Sequence, residues 1–229
     1  MSAKVRGILL DFYGTVALDD DAVVDAISKR VASDTGAPLT TVASLWWQSF
    51  CGLCAGAHGE SFRLQSVLAR DSLATVLDEL GSGLDADELV APQLAHWSAP
   101  LPFEDALQFL EAAELPVLIL SDIDTGHLED ALGSLGLSQL PYVTSEQTRA
   151  YKPRPEGFRS GLARLGLPAH QVVHVGNSWS SDVLGAAAAG IHPVWVNRTR
   201  RARPDATDRP VVEVTGLGGL DQRLRRPWG

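Results

Sequence analysis

Four polar residues each follow a predicted strand, and their types together suit displacement of a group from an anionic centre. They are Asp11, directly after the apolar run 5–10, Ser121 after the second strand, Lys152 beyond the third, and Asp182 after the fourth. Open α/β sheets bind ligands at the carboxyl ends of their strands, so we expect these side chains to lie close together. Two carboxylates, a hydroxyl and an ammonium supply a nucleophile and groups that hold developing negative charge.

Each of these residues has a predicted role. Asp11 is predicted to attack the substrate, with the Thr15 hydroxyl beside it. Ser121 and Lys152 are predicted to hold the negative charge that develops in the reaction. Asp11 and Asp182 are also predicted to share a cation that offsets repulsion of an anionic substrate. Taken singly, Asp11 is equally well explained as the start of the next helix, but the shared position of all four residues favours catalysis.

Two patterns along the chain predict the elements that position these residues. Between residues 15 and 100 apolar side chains recur at helical spacing without a strand signal, which predicts a compact all-helical insertion over the end of the first strand. After residue 100 short β-rich runs alternate with helical segments, which is typical of a parallel sheet with helices on both faces. The insertion helices are predicted at 22–31, 40–54, 62–80 and 85–96, the later strands at 116–120, 142–144, 172–175, 193–196 and 211–214, and an Ala-rich helix at 183–189.

Composition excludes several classes of function. The 229 residues carry a net charge of -9, and this acidic balance argues against nucleic acid as a partner. No apolar run approaches the length of a membrane span, so we expect no membrane partner. The amino-terminal residues lack the features of a signal peptide, and we therefore expect a cytoplasmic protein that acts on a small molecule. The sequence leaves the oligomeric state open.

Several local features have structural interpretations that we prefer. The arginine-rich run 198–203 is predicted to be a solvated surface loop, with a local anion contact as the alternative. Cys51 and Cys54 are predicted to be ordinary thiols of a helix, because no second pair accompanies them. His174 lies inside a predicted strand and is interpreted as a core imidazole. Trp47 is predicted to lie on the inner face of the insertion, with packing as the default and substrate contact as the alternative.

The motifs, taken in order, resemble those of the haloacid dehalogenase superfamily. They are the loop 11–15, the segment 119–122, the Lys-Pro segment 151–155 and the segment 174–190. This resemblance implies a Rossmann-like core of residues 1–16 and 100–229, and an α-helical cap of residues 17–99. It further implies an active site between cap and core, where Asp11 forms a covalent aspartyl intermediate with the substrate.

Departures from the family pattern leave the reaction open. Tyr13 stands where phosphatases of the superfamily have a second Asp that acts as general acid and base, and a Tyr there is similar to the 2-haloacid dehalogenases. Those enzymes, however, use an Arg in the first cap helices, where the corresponding segment 45–48 of this chain has Trp, and they use an Asn where this chain has Asp122. Asn177 stands where phosphatases have an acidic metal ligand, so Mg²⁺ is expected to bind weakly.

We predict a phosphatase of a small phosphorylated metabolite. The alternatives are a 2-haloacid dehalogenase-like hydrolase that releases halide, and a repurposed or impaired member of the superfamily. The predicted catalytic residues are Asp11, Tyr13, Thr15, Ser121 and Lys152, the predicted substrate contacts are Ser121, Asp122, Lys152, Asn177 and Trp47, and the predicted Mg²⁺ ligands are Asp11, the Tyr13 carbonyl and Asp182.

Overall fold

A single parallel sheet forms the centre of the protein. The computed structural model describes residues 4–204 and 211–224, and the other residues of the predicted core, 1–3, 205–210 and 225–229, lie outside the described residues. The strands run side by side in the order β3-β2-β1-β4-β5-β6, and every pairing is parallel. Their bounds are β1 Gly7–Leu10, β2 Val117–Ser121, β3 Tyr142–Thr144, β4 Val172–Gly176, β5 His192–Val196 and β6 Val212–Val214.

The central strand β1 positions the residue that follows it. All four of its side chains are buried, as expected for a parallel strand that is covered on both faces. It pairs with β2 on one side and β4 on the other, with Leu10 opposite Ile119 and Val175. The next residue, Asp11, therefore enters the sheet edge between the ends of β2 and β4.

Four helices fill the predicted insertion, and the predicted fold class is confirmed. Each helix is amphipathic and packs against its neighbours, and the structure extends all but the third beyond its predicted carboxyl end. The first carboxyl end is a left-handed Gly36, and the amino end of the fourth helix is capped by Asp85, which accepts from two backbone amides. The helices are α1 Asp21–Thr35, α2 Leu39–Gly56, α3 Gln65–Leu80 and α4 Ala86–Ser98.

The two chain segments that join this helical unit to the sheet lie side by side. The Leu18 amide donates to the Leu101 carbonyl at 2.8 Å, and the Phe103 amide donates to the Val16 carbonyl at 2.9 Å. These hydrogen bonds make a short antiparallel pairing where the chain leaves and re-enters the core. The pairing fixes the insertion's attachment close to Asp11.

The remaining helices cover the two faces of the sheet. Hydrophobic side chains on these helices pack onto the buried strands, as expected for right-handed crossovers between parallel strands. Among the described residues, none of the helices has the length and hydropathy that a membrane span requires. The core helices are α5 Glu104–Ala112, α6 Thr125–Ser134, α7 Ser145–Thr148, α8 Pro155–Leu165, α9 Gly185–Ala188 and α10 Leu220–Leu224.

Two local predictions hold only in part. A single helix at 183–189 was expected, but the chain forms a wide π-helical turn at Trp179–Leu184 before α9, because the Asp182 side chain turns into the core. The arginine run 198–203 was expected to be a solvated surface loop, and Arg200, Arg201 and Arg203 are indeed exposed. Arg198 is instead half-buried, with its guanidinium 3.6 Å from the Phe103 ring centre and donating to the Thr15 carbonyl at 2.9 Å. Asp105 on α5 supplies the carboxylate that draws it inward.

Candidate active site

Both oxygens of the Asp11 carboxylate are held by neighbouring side chains. Oδ1 accepts from the Lys152 ammonium at 2.7 Å, and Oδ2 accepts from the Thr15 hydroxyl at 2.9 Å. The residue is 6% exposed. Burial and the neighbouring Asp182 charge raise the pKa of Asp11, while Lys152 opposes that rise. The predicted nucleophile is therefore oriented by two donors, and Thr15 lies where the sequence predicted it.

Lys152 joins two carboxylates. Its ammonium donates to Asp11 and, at 2.6 Å, to Asp182, with a longer contact to the Leu120 carbonyl at 3.3 Å. Burial opposes the charged form, but the surrounding carboxylates more than offset this and hold the pKa of Lys152 above its ordinary value. Lys152 therefore remains an ammonium, and its charge is already shared between two partners.

Asp182 is held on both of its oxygens. Oδ1 accepts from Lys152 and from the His174 ring Nε2 at 2.9 Å, and Oδ2 accepts from the Ser178 amide at 2.8 Å. Burial opposes ionisation, yet Lys152 and His174 together lower the pKa of Asp182. A Cβ on Gly176 would lie 2.3 Å from the Asp182 carboxyl carbon, so only glycine permits this approach. Asp182 thus serves as an anchor for Lys152.

His174 is a residue whose part in the site the sequence interpretation missed. It was assigned to the core, and its side chain is indeed fully buried. Its ring nonetheless contacts the Asp182 carboxylate, and through that carboxylate it reaches Lys152. A histidine facing inward from the strand that carries the fourth motif was the only available signal.

Ser121 is the last residue of β2 and Asp122 follows it, and both line the same cleft as Asp11. Both oxygens of Asp122 accept from the Lys152 backbone amide at 3.0 Å. Burial raises the pKa of Asp122 to about 7, although Lys152 opposes that rise. Asp122 is therefore a carboxyl group that exchanges its proton near neutral pH.

The Tyr13 phenol contacts the helical insertion. Its hydroxyl donates to the Trp97 carbonyl on α4. Burial and the neighbouring Asp20 raise the pKa of Tyr13, so the phenol stays neutral. The side chain predicted to be catalytic thus connects the core to the cap, and its proton is directed to a backbone acceptor.

The residues predicted to bind Mg²⁺ do not fit that ion in this arrangement. Both oxygens of Asp11 and both oxygens of Asp182 are engaged by protein donors. Asn177, where the family pattern has an acidic ligand, is an uncharged amide. The Asn177 side chain packs against Gly14, where an added Cβ would lie 2.0 Å from the amide nitrogen. Across residues 4–204 and 211–224, no group of three His, Cys, Asp or Glu side chains is arranged to hold a metal.

A cleft of about 290 Å³ lies between the sheet edge and the helical insertion. The core side contributes the predicted residues Asp11, Ser121, Asp122, Lys152 and Asn177. Trp47, the predicted substrate contact on α2, lines the cleft and is 68% exposed. The other residues that the insertion and its entry segment contribute are Asp19, Asp20, Asp21, Val24, Ala43, Trp46, Phe50, Gln65, Ala69, Gln93 and Trp97.

Two aspartates, Asp20 and Asp124, form hydrogen bonds to the helices of the cap-side wall of the cleft. The sequence interpretation gave neither residue a role. Asp20 accepts from the Gln93 amide at 2.7 Å and from the Trp97 indole at 2.8 Å. Asp124 accepts a hydrogen bond from the backbone N–H of Gln65 at 2.6 Å, and Gln65 is the first residue of α3. A carboxylate at a helix amino end satisfies orphan N–H groups and complements the helix dipole.

Comparison with known proteins agrees with this geometry. Residues 5–190 match the family model described as haloacid dehalogenase-like hydrolase. An (S)-2-haloacid dehalogenase 2 from Pseudomonas sp. (strain CBS-3) is 23% identical over an alignment of 236 positions, which covers 96% of this chain and 96% of its own. The human phospholysine phosphohistidine inorganic pyrophosphate phosphatase is 33% identical over 119 residues, 49% of this chain and 43% of its own.

A solved structure shows the same fold over nearly the whole chain. The L-2-haloacid dehalogenase from Xanthobacter autotrophicus with chloropropionic acid covalently bound superposes with a TM-score of 0.75 at 21% identity, covering 96% of this chain and 98% of its own. The family match spans well over half of the residues, including every strand-end residue of the site. The chain therefore belongs to the haloacid dehalogenase-like hydrolases.

Proposed function

We propose that this protein is a metal-independent hydrolase in which Asp11 displaces a leaving group, such as halide, from a carbon atom of a small molecule. The observation that carries the proposal is the closed bridge from Asp11 through Lys152 to Asp182. The ammonium donates to both carboxylates and, with the Thr15 hydroxyl, orients Asp11 for attack through protein groups alone. This proposal replaces the phosphatase preferred from sequence, which relied on Lys152 and a metal to balance phosphate charge.

The first step forms an ester on Asp11. A carboxylate oxygen of Asp11 attacks the carbon, the bond from carbon to halogen breaks, and the halogen leaves with the bonding electrons. A halide leaves without a proton, so this step needs no general acid. That requirement agrees with a Tyr13 hydroxyl that is engaged by the Trp97 carbonyl.

The second step hydrolyses the ester. The oxygen of a water molecule bonds to the acyl carbon of Asp11, one water proton passes to Asp122, and the alkoxide leaves and takes up that proton. The regenerated Asp11 acid loses its remaining proton to solvent. Asp122 suits this role because a general base works best with a pKa near the operating pH, and its pKa is about 7.

A phosphatase that prefers aryl or acyl phosphates is the second candidate. It is supported by the relative named as a phosphatase and by the surplus of negative charge, which a divalent cation would offset. Against it, a phosphate would meet Asp11 and Asp122 in a cleft where Lys152, the only cation lining it among the described residues, is already paired. Relatives named as dehalogenases also match over nearly their whole length.

One parallel screen separates the two candidates. Halide release from bromoacetate, 2-bromopropionate and 3-bromopropylammonium is measured beside phosphate release from acetyl phosphate and 4-nitrophenyl phosphate, each with EDTA and with Mg²⁺. The Asp11→Asn protein is the blank. We expect halide release that EDTA leaves unchanged and that the blank lacks. Phosphate release that requires Mg²⁺ would establish the phosphatase instead, and silence in both assays would support the repurposed alternative.

A further inference from the structure

The cap side of the cleft carries an acidic rim, which we define as Asp19, Asp20 and Asp21. All three line the cleft, and Asp19 and Asp21 are exposed. The only Lys or Arg among the described residues that line the cleft is Lys152, whose ammonium is bound to two core carboxylates. A ligand therefore enters a cleft with an uncompensated negative rim, and this favours positive charge on the ligand.

An unpartnered acceptor in the same wall points independently to a ligand. Gln93 is 6% exposed, and its amide nitrogen is committed to Asp20 at 2.7 Å. Its Oε1 has no hydrogen-bond partner among the described residues, and neither has Oε1 of Gln65, which also lines the cleft. A buried acceptor without a hydrogen-bond partner is unfavourable unless a ligand supplies the donor. Both groups are acceptors, so the complementary ligand carries N–H donors.

Aromatic side chains complete the binding surface. Trp47 is 68% exposed although most large apolar side chains of this chain are covered, and Phe50 lies one helical turn further along α2 in the same cleft. Exposed aromatic surface beside a cleft is typical of a ligand contact. The faces of aromatic rings attract ammonium groups.

We propose that the cleft selects substrates that carry a primary ammonium group, bound by the acidic rim, the two glutamine acceptors and the aromatic surface. The inference rests on the proposed function only in taking this cleft as the substrate site. This selectivity would set the chain apart from enzymes that act on simple haloacids, because the negative charge of the rim would repel a substrate carboxylate. The selected substrate is a short aminoalkyl compound whose leaving group lies at the Asp11 end.

Binding of three probes of equal length tests this directly. Butylammonium, 1-butanol and butyrate are titrated at equal ionic strength, and quenching of tryptophan fluorescence is followed. The assay is run at pH 8 because partial desolvation of the Asp19 carboxylate inside the cleft, and repulsion from Asp20, raise the pKa of Asp19 to about 7. One charge-assisted hydrogen bond is worth about 1.5 to 3 kcal/mol, so we expect butylammonium to bind about tenfold more tightly than 1-butanol, and butyrate to bind least.

Isosteric variants identify the rim as the cause. Asp19→Asn and Asp21→Asn should each weaken butylammonium binding about threefold or more and leave 1-butanol unchanged. Asp78→Asn makes the same charge change at an exposed position outside the cleft and should leave all three probes unchanged. Equal binding of the three probes, or tighter binding of butyrate, would overturn the proposal. No turnover is involved, so failure of the proposed reaction would not alter this result.

Discussion

The two walls of the cleft differ in how completely their polar groups are satisfied. On the core side Asp11, Lys152, Asp182 and His174 form one buried network with contacts of 2.6 to 2.9 Å. On the cap side two of the three rim carboxylates, Asp19 and Asp21, are exposed, and two glutamine oxygens lack a donor among the described residues. In the core network, within residues 4–204 and 211–224, only His174 Nδ1 lacks a hydrogen-bond partner, and it lies away from Asp11 on the far side of Asp182. Carboxylates held on both oxygens can orient a nucleophile, whereas unsatisfied acceptors that line the cleft can recognise a ligand. We thus assign catalysis to the core wall and substrate selection to the cap wall.

Removing the cation of the core network should have the largest effect. Lys152→Met leaves two buried carboxylates uncompensated, which costs about 3 to 5 kcal/mol. We expect a large fall in the urea midpoint and loss of measurable turnover. Lys29→Met, which removes an exposed lysine paired with Asp25, should change stability by less than about 1 kcal/mol. If the two substitutions lowered the stability equally, the core network would contribute no more to stability than a surface ion pair.

A pH series tests the carboxyl group at the boundary of the two walls. Folding raises the pKa of Asp122 from 3.8 to about 7, mainly because the carboxyl group is buried in the folded state. Its contribution to the free energy of unfolding is therefore fully present below pH 3.8 and is lost as the pH rises through 7. Relative to Asp122→Asn, which does not titrate, the wild-type protein should lose at most about 4 kcal/mol over that range. Parallel stability curves for the two proteins would contradict the assignment.

The contact between the walls is tested by Tyr13→Phe. This change deletes the hydrogen bond from the phenol to the Trp97 carbonyl, which is worth about 0.5 to 1.5 kcal/mol. We expect a small decrease in unfolding free energy and turnover within about threefold of wild type. A general acid would contribute about 10²-fold or more, so a fall of that size would return Tyr13 to the chemistry.

The smallest effect on stability is expected on the cap side. Trp47→Ala removes a side chain that is 68% exposed, so the free energy of unfolding should change by no more than about 0.5 kcal/mol. Butylammonium binding should nevertheless weaken, because the ring is part of the proposed surface. A large loss of stability with unchanged probe binding would show that the Trp47 side chain stabilises the fold by packing and does not contact the ligand.

The sequence predicted the core wall better than the cap wall for a physical reason. Asp11, Ser121, Lys152 and Asp182 follow strands whose apolar runs are short and distinct, and parallel pairing brings the ends of such strands together. The register of β1 with β2 and β4 then places these side chains with little freedom. The resemblance to the haloacid dehalogenase superfamily was carried by the same residues and is confirmed.

The partners of these side chains were beyond the sequence interpretation. Whether Asp182 faces a metal or an ammonium depends on the turn after β4, and a π-helical turn cannot be distinguished from a helix by apolar spacing. The contacts of Gln93 with Asp20 and of Tyr13 with Trp97 depend on how the insertion sits on the core. Helical periodicity shows which face of a helix is apolar, and it does not show which residues of another unit that face will meet.

The most direct test of the account follows the oxygen of water through one turnover. Excess enzyme is mixed with 3-bromopropylammonium in ¹⁸O-labelled water. The enzyme is then digested, and the mass of the peptide that contains Asp11 is measured by mass spectrometry. Hydrolysis of an ester at its acyl carbon leaves the water oxygen in the enzyme, so the account predicts one ¹⁸O atom in the Asp11 carboxylate. Label found only in the released alcohol would show that water attacks the substrate directly, and would contradict Asp11 as the nucleophile.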